Sequence, residues 1–355
     1  AEDPELLVQL LAHGTNLVRI NCAHDDADVW ARMIENTGRA EEKTGRRCRV
    51  SMDLGGPKLR TASGTLRDVL QDETILLTRT VTVAGADNEA GEAAAGFRPI
   101  ACTLPAVLDR LHRGERVFFD DGKLGGVIEE VGPAGVRVRM TQVPLGGGKL
   151  KRDAAINLPD SDLGLRALTP RDREDLRFVA KHADVVALSF VERADDIADV
   201  DAELLRLEAA RKGLLLKIET RRAFDALPEL LLATVGRRPV GVMIARGDLA
   251  VEVGYERLAE VQEELLWLCE AAHVPVVWAT QVLERLAKKG LPTRAEITDA
   301  AMAERAECVM LNKGAHIVEA VSFLDDILRR MAAHQRKKSP RLRPLTVARR
   351  MLGRD

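Results

Sequence analysis

Short, nearly continuous apolar runs recur along the chain, most of them followed by a helical pattern. "NLVRIN" (16–21) leads into a helical stretch near 27–44, and "CRVSMD" (48–53) is the next strand. The pattern lapses and resumes with "DVVALSF" (184–190), which precedes a helix near 194–212. "LLLKIE" (214–219) precedes a helix near 221–234, and "PVGVMIA" (239–245) one near 255–272. "VPVVWAT" (274–280) precedes helices near 281–289 and 294–306, and "ECVMLN" (307–312) one near 316–334. The opening "AEDPELLVQLLAHG" reads as an amphipathic helix. Strands that are apolar on both faces belong to a parallel sheet covered by helices.

Seven such units are one short of the eight that close a (β/α)8 barrel of about 250 residues. The expected class is therefore α/β, a TIM barrel interrupted by a small β domain. That domain falls over 63–157, where short alternating runs such as "ETILLTRTVTV" and "GVRVRM" stand among Gly, Val and Thr. The barrel would occupy 1–62 and 158–336, with a basic tail over 337–355. The helix punctuation agrees. Thr169 with Pro170 is an N-cap followed by proline at the first helical position. "TRAE" (293–296) is a capping box, and Gly213 after "AARK" reads as a helix stop.

Composition narrows the partners. A formal net charge of −2 exerts no general pull on nucleic acid or anionic membrane, and 3% aromatics offers little surface for stacking bases. No secretory signal and no 18-residue apolar span stands out. The five cysteines are scattered without a Cys-x-x-Cys pair and read as buried free thiols, which fits a reducing cytoplasm.

A parallel barrel places its chemistry at the carboxyl ends of its strands. Here those ends carry Arg19 and Asn21, Asp53, Ser189, Lys217 and Glu219, Asp248, Thr280 and Asn312. Lys217 and Glu219 are two apart and point to one side of their strand. Asp248 sits in Arg246-Gly247-Asp248, an adhesion tripeptide by its letters, yet it follows an apolar strand. Two carboxylates, Glu219 and Asp248, with open positions suit Mg²⁺, and Arg19 with Lys217 would bind phosphate or carboxylate. Such a set serves phosphoryl transfer or enolate chemistry; structural ion pairs with nearby arginines are the alternative.

The chain contains, in order, "VRINCAH", "MDLGGPKLR", "DDGKL", "INLP", "ALTPRDREDLRF", "ALSFV", "KIET", "ARGDLAVEV", "ATQVLERL" and "PTRAEITDAAMA". In these segments it resembles pyruvate kinase over nearly its whole length. The resemblance implies a (β/α)8 barrel with a mobile β lid, and a chain that begins at the helix after the first barrel strand. It makes Glu219 and Asp248 the ligands of Mg²⁺, for which Mn²⁺ could substitute. Lys217 would face the transferring phosphoryl group, and Arg19 would contact phosphoenolpyruvate and nucleotide. The N–H groups of Gly247 and Asp248, with the Thr280 hydroxyl, would hold the substrate carboxylate. Thr280 would also lie near the carbon that is protonated. Arg60, His24 and Asp121 would serve the nucleotide, Asp121 from the lid, and Ser189 would support the metal site. The substrates implied are phosphoenolpyruvate and ADP. The "PTRAE" helix implies a homo-oligomer, and neither membrane nor nucleic acid enters.

The departures from the family pattern matter. Its monovalent-cation site keeps Asn21 and Asp53 here, but Ala23 and Leu54 replace a serine and a threonine. Lys58 stands where potassium-dependent members carry glutamate, so the expectation is activity without K⁺. The family's "M-L-S-G-E-T-A" is here "MLNKGAH", with Asn312, Gly314 and Ala315 in place of Ser, Glu and Thr. Lys313 brings new charge, and Lys151 or Arg152 would substitute for a displaced basic stretch of the lid. This segment leaves room for a second reading, Mg²⁺–enolate chemistry on a related 2-oxo acid such as oxaloacetate decarboxylation. A non-catalytic nucleotide sensor is a third. The family's C-terminal regulatory domain is not in this sequence, so sugar-phosphate activation is not expected. The tail over 336–355 holds eight Lys/Arg and one acid and reads as a solvated end.

Overall fold

The computed structural model of the chain describes residues 3–62, 67–79, 99–335 and 351. Apart from residue 351, the basic tail lies outside the described residues, as does the stretch over 80–98, which includes "TVTV" of the alternating run. Helix α1 (Pro4–Ala12) starts at Asp3, whose carboxylate accepts from the N–H groups of Glu5 and Leu6. Strand β1 (Leu17–Asn21), α2 (Ala27–Thr44) and β2 (Arg49–Asp53) follow. Eight short strands come next: β3 (Arg67–Val69), β4 (Thr74–Thr78), β5 (Pro99–Ala101), β6 (Arg116–Phe119), β7 (Leu124–Gly132), β8 (Gly135–Gln142), β9 (Gly148–Leu150) and β10 (Ile156–Asn157). The alternation of strand and helix then resumes with α3 (Pro170–His182), β11 (Val185–Leu188), α4 (Ala194–Arg206) and β12 (Gly213–Ile218). After α5 (Arg221–Asp225) and α6 (Leu227–Thr234) come β13 (Val240–Ala245), α7 (Arg246–Val253), α8 (Leu258–Ala271) and β14 (Val276–Ala279). Helices α9 (Glu284–Lys289) and α10 (Arg294–Met302), strand β15 (Cys308–Val309) and α11 (Ile317–Gln335) complete the order.

The described residues form two compact units. One takes the described parts of Ala1–Gly56, Arg166–Leu249 and Glu256–Asp355; the other takes those of Pro57–Leu165 and Ala250–Tyr255. The first holds a sheet of seven strands in the order β1-β2-β11-β12-β13-β14-β15, every pairing parallel. All seven apolar runs read from the sequence are strands of this sheet. One face carries the small core of Ala187, Leu215, Met243, Ala245 and Ala279. The other buries Val186, Leu216, Ile218, Val242, Ile244 and Trp278, which explains the nearly continuous apolar runs.

The second unit is a six-stranded sheet, β10-β6-β7-β8-β4-β5, with a separate β3-β9 pair. Its core is its own and includes Phe119, Ile128, Val136 and Val138. At Gly135 the backbone has φ +141°, and a Cβ there would stand 2.1 Å from the carbonyl oxygen of Leu77, so only glycine fits.

Thr169 and Thr293 cap their helices as expected, each making a full capping box, with Asp172 and Glu296. Three local readings change. The helix expected to stop at Gly213 ends at Arg206, and Glu208 (φ 57°) takes the left-handed position. There the N–H of Ala209 reaches the carbonyl of Leu204 and that of Glu208 the carbonyl of Leu205, a Schellman closure without glycine. Gly213 instead opens β12. The helix expected over 221–234 is two, α5 and α6, because Pro228 has no N–H to continue the first. An unforeseen helix, α7, begins directly after β13, so Asp248 lies in its first turn and not at the end of a strand.

Candidate active site

Period two along a strand decides what the small-residue face of the sheet presents at its carboxyl edge. Above Ala187 comes Ser189, and above Leu215 come Lys217 and Glu219. Asp53 is in register with Ala187, and Asn21 with Asp53, so both belong to that same face. Four neighbouring strands therefore bring Arg19, Asp53, Ser189, Lys217 and Glu219 together.

Lys217 is the hub. Its Nζ donates to Ser189 Oγ at 2.7 Å, lies 2.9 Å from Glu219 Oε1 and stands 3.5 Å from Asp53 Oδ2. Arg19 Nε completes the cluster on Asp53 Oδ2 at 2.7 Å. The Ser189 hydroxyl in turn donates a hydrogen bond to the Leu54 carbonyl at 2.7 Å. Burial by itself would depress the Lys217 ammonium, but Glu219 and Asp53 outweigh it, and its pKa is raised above the ordinary lysine value. The lysine is therefore a fixed positive charge at neutral pH.

Backbone strain gathers at the same edge. Phe190, two residues after β11, has φ 54° and turns its N–H onto Glu219 Oε2 at 2.8 Å. Gly56 makes room for it: a Cβ there would meet Phe190 Cδ2 at 2.9 Å. After β14, Thr280, Gln281 and Leu283 all have positive φ, at 70°, 58° and 46°. Each such residue costs roughly 1–3 kcal/mol, and persists only where surrounding contacts over-determine it. Gly247 brings its backbone against Thr280, where a Cβ would lie 3.0 Å from Thr280 Cγ2.

The donor set can be judged from these positions. Each Glu219 oxygen has one hydrogen-bond partner and further lone pairs. Asp248, half-buried at the start of α7, follows the strand beside that of Glu219. Two carboxylates of this kind fit a hard ion that keeps waters and accepts substrate oxygens. Among the described residues no group of three or more His, Cys, Asp or Glu is arranged to hold a metal ion.

Asp53 is fully buried, its Oδ2 shared by two cations, while its Oδ1 has no hydrogen-bond partner among the described residues. Asn21 Oδ1 accepts from the Ala23 N–H, and the neighbouring His24 is exposed.

The remaining sequence candidates belong to the second unit. Lys58 is half-buried there. Arg60 donates from Nη1 to the Asp153 carbonyl at 2.9 Å. Asp121 is exposed, with φ 56°, and its carbonyl accepts from the Tyr255 hydroxyl at 3.1 Å. Lys151 and Arg152 are exposed.

In the first unit, "MLNKGAH" follows β15. Lys313 is exposed and Asn312 half-buried. Gly314 packs backbone to backbone on α9: a Cβ there would stand 2.2 Å from the Ala287 carbonyl oxygen. The His316 N–H donates to that same oxygen at 2.8 Å.

Two contributors escape the sequence reading. Phe190 acts through its backbone, and only a torsion angle shows it. Arg246 is legible only as the first letter of Arg-Gly-Asp, yet it makes the densest set of contacts at this edge (below).

Buried ammonium and carboxylate groups gather at the carboxyl ends of parallel strands in the first unit, the edge from which α/β barrel enzymes work. The chain belongs to the pyruvate kinase family: the family model described as "Pyruvate kinase, barrel domain" matches residues 1–321. It is 31% identical over 337 residues to a pyruvate kinase of Geobacillus stearothermophilus, covering 92% of this chain and 54% of that protein. It is 33% identical to pyruvate kinase PKLR of Homo sapiens, over 93% of this chain and 57% of the relative. It is 32% identical to a pyruvate kinase of Methylorubrum extorquens, over 92% and 65% respectively. The chain thus spans between about half and two thirds of the length of these curated relatives. No described helix is long and apolar enough to cross a membrane.

Proposed function

We propose that the chain carries pyruvate kinase chemistry, transferring the phosphoryl group of phosphoenolpyruvate to ADP and releasing pyruvate and ATP. The observation that carries this reading is the buried Lys217 held between Glu219, Asp53 and Ser189 at the sheet's carboxyl edge. The parallel sheet is read as the wall of a (β/α)8 barrel, and the inserted unit as its lid. Glu219 and Asp248 would hold Mg²⁺, which supplies charge neutralisation for the phosphoryl and enolate oxygens.

The protein's own groups do the rest. Lys217 stabilises charge on the transferring phosphoryl group without needing to change protonation, because its neighbours keep it an ammonium. Arg19 adds a second cation that Asp53 orients. The amides that open α7, at Gly247 and Asp248, receive the substrate carboxylate, and the absent Cβ of Gly247 lets it approach. The Thr280 hydroxyl stands beside the carbon that gains a proton. Arg60, His24 and Asp121 are assigned to the nucleotide.

Asp53 already has Arg19 and Lys217 as counter-charges, and Ala23 and Leu54 offer no side-chain oxygen to a monovalent cation. The reading therefore includes turnover without K⁺.

The test is an assay of purified protein with phosphoenolpyruvate, ADP and Mg²⁺, in Na⁺ and in K⁺, beside Glu219→Gln and Lys217→Met. Pyruvate and ATP should form at matching rates in both salts and be lost in both variants. Strong stimulation by K⁺ would remove the cation argument. The Gly314 packing favours one second reading, since the segment cannot host the glutamate of the family pattern. Oxaloacetate consumption without ATP formation would select Mg²⁺-dependent enolate chemistry on that substrate instead.

A further inference from the structure

The Arg246 side chain is only 10% exposed, and each nitrogen of its guanidinium has a partner. Nε donates to the Ala279 carbonyl at 2.7 Å and Nη2 to the Thr280 carbonyl at 2.5 Å. Nη1 and Nη2 also engage the two carboxylate oxygens of Asp299, on α10. Trp278 closes the group: the Arg246 Cζ lies 4.9 Å from its ring centroid, and its Nε1 donates to Asp299 Oδ1 at 3.3 Å.

The two carbonyls gripped are those of Ala279, the last residue of β14, and Thr280, the first of the left-handed stretch. A β-branched residue is a poor occupant of that conformation. It is maintained here from two sides, by the carbonyl grip of Arg246 and by the close approach of the next residue, Gly247, to the Thr280 side chain. One dipeptide, Arg246-Gly247, therefore sets both ends of Thr280.

We infer that Arg246 is a positioning residue that fixes the Thr280 hydroxyl beside the α7 amides, with Asp299 holding the guanidinium in place. This deepens the proposed function and rests on its assignment of Thr280 to the protonation step. Arg246 touches no substrate; it acts by keeping Thr280 in a backbone conformation it would not otherwise hold. A misplacement of about 1 Å can cost on the order of 100-fold in rate, so the effect falls on turnover.

The experiment is a double-mutant cycle on the full chain: wild type, Arg246→Met, Thr280→Ala and the pair together. It is read by kcat with phosphoenolpyruvate, by KM for ADP, and by exchange of pyruvate methyl protons with D₂O. Circular dichroism and Mn²⁺ affinity accompany each variant. Arg246→Met should lower kcat and proton exchange on the order of 10- to 100-fold, with KM for ADP and Mn²⁺ affinity unchanged. The double variant should be no slower than Thr280→Ala, since the two act as one unit. Multiplying losses, or an undiminished exchange rate in Arg246→Met, overturns the inference while the proposed function stands. A wild type that forms no pyruvate overturns both, and is told apart because every arm is then silent. Should Arg246→Met not fold, Asp299→Asn replaces it, and its loss of kcat must likewise vanish in the Thr280→Ala background.

Discussion

At the scale of single residues, Lys217 does two things that can be measured separately. It is a cation for chemistry, and it is the counter-charge of two buried carboxylates, Glu219 and Asp53. Removing one partner of a buried pair typically costs about 3–5 kcal/mol, because the other charge is left without compensation. Lys217→Met should therefore be destabilised by about 3 kcal/mol in urea titrations at neutral pH, beyond losing activity. Arg19 remains on Asp53 and limits the loss. An unchanged midpoint would mean that the cluster contributes nothing to stability. The raised Lys217 pKa also has a sign. Its contribution is fully present below the ordinary lysine value of 10.5 and is lost as pH climbs through the higher folded value. Wild-type stability should thus fall more steeply above that value than the stability of Lys217→Met. Parallel curves would argue against the raised pKa. The buried thiols are raised as well: burial pushes Cys48 up to about 11 and Cys269 up to about 12, so both should resist alkylation in the native protein at neutral pH.

At the scale of elements, packing on α9 decides what the divergent segment can be. Gly314 has no room for even a methyl group, because the Ala287 carbonyl occupies that space and cannot move without opening α9. Gly314→Ala should cost about 1–3 kcal/mol, the usual range for forcing atoms into a packed site. Thermal unfolding of that variant measures it, and a neutral result would show that the segment is free to shift. Most of what surrounds this site is legible in the sequence. The strands are apolar on both faces, so their positions emerge from composition alone. The caps at Thr169 and Thr293 emerge from a side chain three residues ahead of its partner. Lys217 and Glu219 follow from strand period. What stays hidden depends on conformations that side chains do not announce. Glu208 closes α4 where glycine would be expected, Phe190 reaches Glu219 through its backbone, and Arg246 works through two carbonyls. No spacing rule carries that information, because each depends on where a second element ends. Asp53 is an instructive intermediate. Its polarity marks it in the sequence, but only the fold shows it buried as the shared counter-ion of Arg19 and Lys217.

At the scale of the whole molecule, the two units differ in how their chains are ordered, and this bears on how the protein comes apart. Each has its own apolar core: Ala187, Leu215, Met243 and Ala279 in one, Phe119, Ile128, Val136 and Val138 in the other. The second unit is largely antiparallel and joins strands that are close in sequence, such as β7 and β8 across the turn at 133–134. Proteins with separate cores commonly depart from all-or-none unfolding. A substitution confined to one core should then move one transition and leave the other in place, because distant sites act independently. Gly135 supplies that substitution. Its backbone angle and the nearby Leu77 carbonyl both exclude a Cβ, so Gly135→Ala should weaken the second unit by about 2–3 kcal/mol. For a unit of its size this lowers the midpoint by roughly 10 °C or more. Calorimetry should resolve a shifted transition beside an unshifted one, and hydrogen exchange should assign the shifted one to strands β4, β7 and β8. The unshifted transition should be the one that Gly314→Ala moves. If both substitutions displace a single transition together, the two cores unfold as one and the division into independent units fails.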